Sequence, residues 1–188
     1  MTTSRSKARS RALTNRLARF TGAQSGATAV EFALVATPFF LLLFGIIELA
    51  FIFLVSSSLE NATAQAARTI RTGELQTGGA ATASAFKDAV CSKFGWLQSD
   101  CAANLSVDVR TYQTFASVTA PQPVSNGTFN AGALTFAPGG PDDIVVVRTY
   151  YQWPLIAPMI SQAMQQLNGG KALLTSTAAF RNEPYGSS

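Results

Sequence analysis

From Phe32 to Val55 the chain is apolar on every side, with Glu48 as its single charge. The stretch Phe39-Phe40-Leu41-Leu42-Leu43-Phe44 has no polar position every third or fourth residue, as the half-buried helix of a small domain would. At 1.5 Å per residue these roughly 24 residues reach about 36 Å, enough for a hydrocarbon layer of about 30 Å. A cleaved signal peptide has an apolar region of only about 7–15 residues. A rival small-x-small cleavage signal, Ala62-Thr63-Ala64, lies well beyond the run, inside a continuing helical pattern. The run is therefore predicted to span a membrane. Pro38 removes one backbone hydrogen bond within it and is expected to kink the helix or loosen one turn, which membrane helices tolerate.

Past Val55 the pattern turns one-sided. Leu59, Ala62, Ala66, Ala67 and Ile70 fall close to i, i+3, i+4 and i+7, opposite Glu60, Asn61, Gln65 and Arg68. Gly73 is a plausible stop. The pattern predicts one helix of about 45 residues, apolar in its first half and amphipathic in its second, in the manner of a stalk carrying a domain off the membrane.

Residues 73–188 are predicted to form an α+β domain, a small, mainly antiparallel sheet packed on helix. A Gly-rich hinge over Gly73–Gly79 is followed by a helix over Ala80–Phe94, with Phe86, Val90 and Phe94 on one face. Asn104–Phe115 alternates Leu105, Val107 and Val109 against Ser106, Asp108 and Arg110, the signature of a half-buried strand. A long Pro/Gly loop spans Thr119–Asp142, and a second strand runs over Asp143–Trp153. A short helix is expected over Pro158–Leu167 and a third strand over Lys171–Phe180, after Asn168-Gly169-Gly170.

Charge is distributed unevenly. Six of the 14 basic residues, Arg5, Lys7, Arg9, Arg11, Arg16 and Arg19, precede the apolar run, and no acid appears before Glu31. Without this leader, eight basic residues face ten acidic ones. The formal charge of +4 thus belongs to the leader, and the domain lacks the clustered Lys/Arg of a nucleic-acid surface. A cationic arm binding RNA or DNA is the lesser reading of the leader. The positive-inside bias instead holds it on the cytoplasmic side, with the domain outside.

Between leader and run stands Gln24-Ser25-Gly26-Ala27-Thr28-Ala29-Val30-Glu31. A small Gly-Ala pair followed at a fixed distance by a carboxylate, then by a membrane-length helix, is the pattern of a prepilin-type leader. Gly26 through Val35, with Pro38 and the Gly45-Ile46-Ile47-Glu48 ending, resembles the TadE family, minor pseudopilins of the tight-adherence (Flp) pilus systems of bacteria. The closing segment Ala178–Tyr185 is also similar to the end of such proteins. The resemblance implies a leader 1–26, a transmembrane and stalk helix 27–72 and an extracytoplasmic domain 73–188. It implies cleavage by a prepilin peptidase between Gly26 and Ala27, insertion in the bacterial inner membrane as a single span, and partnership with other pseudopilins, the inner-membrane assembly platform and membrane lipid.

The junction's chemistry can also be argued from its residues. A membrane-embedded peptidase needs an extended, unhindered segment at the interface, and Ser25-Gly26-Ala27 supplies small side chains and a permissive glycine. After cleavage the amine of Ala27 lies one helical turn from Glu31. A carboxylate at the membrane boundary is costly unless paired. The resemblance pairs Glu31 with the terminal amine of a neighbouring subunit, setting register during assembly. The plainer alternative has Glu31 mark the polar edge of the span or favour the helix N-terminus through its dipole. Glu48, about 25 Å further along the helix, is expected to be an interfacial anchor, with a helix–helix contact as the alternative.

Cys91 and Cys101 are the whole thiol inventory, in the part placed outside the cytoplasm, where disulfides persist. There are no histidines and no further thiols, so a zinc site from soft ligands cannot be assembled, and a structural disulfide is expected. Without His there is no Ser-His or Cys-His pair, and Gly169-Gly170-Lys171 lacks the flanking Gly and Ser/Thr of a phosphate loop. No catalytic activity, metal or cofactor is expected. Two functional classes follow: an assembly component of a pilus machine, or a single-span anchored periplasmic binding or adhesion module whose 119–142 loop contacts a ligand.

Overall fold

A computed structural model of the chain describes residues 24–79, 81–156 and 161–186. The basic leader Arg5–Arg19 lies outside these residues. The first element, helix α1, spans Gln24–Arg71 and continues through Pro38. Beside that proline the Thr37 hydroxyl donates to the Ala33 carbonyl one turn back (2.7 Å). An 18-residue window of this helix has a mean hydropathy of 2.7, and only 11% of it is buried. A core helix of that composition would hide its side chains, whereas large apolar residues from Val30 to Leu54 stay exposed. Among the described residues, α1 is the one helix long and apolar enough to cross a membrane.

The chain divides into two compact units, Met1–Ile46 and Ile47–Ser188. The described part of the first is helical throughout. The second is an α+β domain. Strands β1 (Leu105–Tyr112), β2 (Ile144–Pro154) and β3 (Lys171–Arg181) pair antiparallel in that order, with β2 in the centre. Helices α2 (Ala83–Ser92) and α3 (Gln98–Asn104) precede the sheet. Thr82 caps α2 by accepting from the Ala85 amide.

The domain unit begins at Ile47, so the helical half drawn as a stalk is built into the fold. Val55, Leu59, Ala62, Ala66, Ala67 and Ile70 are all buried in one cluster with Phe86, Val90 and Phe94 and with the facing strand residues Val107, Val109, Val147 and Tyr151. Each large side chain so buried contributes about 1.5–3 kcal/mol relative to exposure. The alanines leave room for the sheet to come close, and Thr63 and Thr149 share a buried hydroxyl hydrogen bond of 2.7 Å.

The end of α1 is closed by Gly73, whose φ of 77° suits glycine and where a Cβ would run into the Tyr185 ring. The closing segment secures this end. The Glu183 amide donates to the Arg71 carbonyl (2.8 Å), its carboxylate pairs with Arg71 (3.0 Å), and Asn182 Nδ2 donates to the carbonyls of Pro138 and Gly140.

Three features differ from the sequence pattern. First, the polar side of β1 is not a solvent face. Asp108 is fully buried, its carboxylate held by Arg110 Nε (2.9 and 3.0 Å), the Thr135 amide (2.9 Å) and Arg148 (3.6 Å). The loop after β1 folds over this face, with Ala133 and Thr119 carbonyls accepting from Arg110 and Arg148. Burial and the neighbouring Asp108 push the Tyr150 phenol above its ordinary range. Second, the expected helix over Pro158–Leu167 is, among its described residues, a 3-10 turn at Ser161–Met164. The amides of Gln166 and Leu167 donate to the Lys171 carbonyl instead of continuing a helix, because Gly169 and Gly170, both at positive φ, turn the chain back sharply. Third, α3 was not anticipated. Of its seven residues only Cys101 is buried, which leaves no periodic apolar signal.

Cys91 and Cys101 are joined, stapling α2 to α3 with a Cα–Cα distance of 5.5 Å. The chain-entropy argument gives about 2.8 kcal/mol for so short a loop. Replacing both cysteines by serine should lower stability by about that much, read as a lower midpoint in urea unfolding that reductant no longer shifts. Equal midpoints with and without reductant in the wild type would contradict the staple.

Candidate processing and assembly segment

Gly26, Ala27 and Glu31 lie in the first two turns of α1, and Ala27 and Glu31 are exposed. Gly26 is helical, where an extended segment was anticipated at the cut. A first turn lacks the stabilisation of a helix interior and is the easiest part of α1 to unwind. Among the described residues, no atom outside the helix's own nearby backbone comes within 4 Å of a Cβ built on Gly26.

Ala27 and Glu31 are four apart in a helix and so share one face, one turn from each other. With residue 27 as the first of the chain, the amides of residues 27–30 would be the unpaired donors of the helix start, and Glu31 would sit beside that positive end. Just beyond, Ala29, Val30, Ala33, Leu34, Thr37 and Pro38 line an open apolar hollow of about 690 Å³. Ala29, Ala33 and Thr37 repeat every fourth residue, a spacing of small side chains that lets another helix approach closely. The four-residue spacing of these small residues is visible in the sequence itself.

Glu48 is not an exposed anchor. It is 2% exposed, and its Oε1 accepts from the Ile156 amide at 2.7 Å, inside the domain unit. Its burial went unread because it comes from a loop 108 residues away in sequence. Cys91 and Cys101 pair as expected. The 119–142 loop, a ligand-contacting arm only in the alternative binding-module reading, donates and accepts hydrogen bonds across the sheet face through Thr119, Ala133 and Thr135.

A family model described as TadE-like protein matches residues 26–68. The match begins at Gly26 and runs through the apolar run into the buried half of α1, less than half of the chain. No curated protein and no solved structure gave a match. Over residues 26–68, from the glycine of the junction to the spine of the domain, the chain is similar to the TadE-like family.

Proposed function

We propose that this chain is a minor pseudopilin, a structural component acting in assembly of a tight-adherence (Flp) pilus at the bacterial inner membrane. A prepilin peptidase cuts between Gly26 and Ala27 on the cytoplasmic side, the helix remains as a single span, and the domain faces the periplasm. Glu31 then pairs with the Ala27 amine of a neighbouring subunit, and the small-residue face at Ala29, Ala33 and Thr37 receives that neighbour's helix. The observation that carries this reading is the TadE-like match opening at Gly26, on an exposed apolar helix. The size of the domain favours a minor role over that of a bulk fibre subunit. A loop folded down on its own sheet lends no support to the ligand-binding module.

Gly26→Val tests the processing step. A Cβ at position 26 meets no described atom outside the helix's own nearby backbone within 4 Å, so the variant should fold and insert but keep its leader, visible as an intact-mass difference from the wild type. A Gly26→Val protein processed at the wild-type position would contradict the peptidase reading.

A further inference from the structure

Two hydrogen bonds fix how β2 runs along α1 within the domain unit. Thr63 meets Thr149, and Glu48 meets Ile156. Between them α1 rises about 22 Å at 1.5 Å per residue, and β2 with its extension covers about 23 Å at 3.3 Å per residue. Helix and strand therefore run antiparallel, side by side, and levels on one can be read onto the other. Trp153 lies about 10 Å back from Ile156, level with Leu54 and Val55 on α1.

That level is where the apolar run ends. Phe51, Phe53 and Leu54 are exposed, Val55 is the first fully buried member of the spine, and Ser56-Ser57-Ser58 follows. The Trp96 ring, 58% exposed, packs edge-on against Trp153 at 6.5 Å. Below them Ile156 is 67% exposed, and its amide sits on the Glu48 carboxylate about 10 Å deeper along the apolar run.

We propose that this end of the domain is a lipid-docking surface: Ile156 enters the outer leaflet beside α1, and Trp96 lies at the headgroup boundary. The domain is then seated in the bilayer surface rather than held off it. The occupant is a lipid surface because the patch continues the exposed apolar residues of α1 at the same level, and because an exposed tryptophan with a polar edge favours the boundary between hydrocarbon and water. The Glu48–Ile156 hydrogen bond supplies the latch. It joins an amide and a carboxylate at a depth where polar groups need partners. This inference rests on the single-span reading.

The chain has two tryptophans, so quenching reads the patch directly. The full-length protein, as wild type and as Trp96→Phe and Trp153→Phe, is reconstituted at one copy per nanodisc, with a tryptophan-free scaffold protein, in phosphatidylcholine with or without bromine on acyl carbons 6 and 7. Trp96 emission, isolated in Trp153→Phe and obtained by difference between wild type and Trp96→Phe, should fall by half or more with brominated lipid. Aqueous acrylamide should reach it several-fold less than it reaches free N-acetyltryptophanamide. Full acrylamide access without bromine quenching would put Trp96 in water and overturn the proposal. Shielding from acrylamide without bromine quenching would mean that protein covers the patch, and would overturn it too. Alkaline carbonate extraction of membranes separates the two layers of argument. A chain released by carbonate defeats the single span itself, whereas a retained chain with unquenched Trp96 defeats only the docking surface.

Discussion

Asp108→Ala should lower the stability of the domain by about 3–5 kcal/mol, because it strips the counter-charge from buried arginine. Among the described residues Asp108 is the only acid paired with Arg110 and Arg148, and the Arg148 side chain is nearly as buried as the carboxylate itself. Arg110, about one-third exposed, can turn to water; Arg148 cannot without disturbing the central strand. The variant also releases the Thr135 amide, so the loop over the sheet loses its central tie. At about 3–4 °C per kcal/mol for a domain of this size, the melting temperature should fall by roughly 10–20 °C. Near-UV circular dichroism in detergent micelles reads the transition. Adding Arg148→Met should recover part of the loss, since no unpaired buried cation then remains. A melt of Asp108→Ala within a degree or two of the wild type would contradict this account of the sheet's second face.

The larger functional effect belongs to Glu31→Ala. On the pseudopilin reading the variant is still cut, because the peptidase reads the glycine and the leader. It still inserts, because removing an acid from an apolar segment lowers the cost of burial. What fails is recruitment into the assembly. Surface ion pairs are worth little in water, but a pair at the membrane boundary is poorly screened. Loss of about 1.4 kcal/mol per subunit contact already reduces occupancy tenfold. Piliation should therefore fall tenfold or more while mature protein stays at its normal level. Normal piliation by a cleaved Glu31→Ala protein would assign Glu31 to marking the helix boundary.

Long, local, periodic features could be read from the sequence. The apolar run, the one-sided pattern from Leu59 to Ile70, the alternation in β1 and the Gly73 stop all depend on neighbours within a few residues, and all are present. Contacts closed by distant chain were not legible. Alternation at Ser106, Asp108 and Arg110 reads as a wet face unless something covers it, and the cover is a loop whose composition announces only that it is a loop. The same holds for Glu48, whose partner amide comes from beyond β2. The amphipathic half of α1 was read correctly as one-sided. That its apolar side faces a sheet of its own chain, instead of standing free, depends on strands a hundred residues downstream. At the junction Gly26, Ala27 and Glu31 were legible as residues and spacing, because their geometry is that of a single continuous helix.

The most direct test of the central claim is the N-terminal sequence of the protein isolated from its native membrane. The pseudopilin reading predicts a mature chain beginning at Ala27, with the leader through Gly26 removed. A chain beginning at Met1, or at Gln65 after the rival small-residue signal, would contradict it.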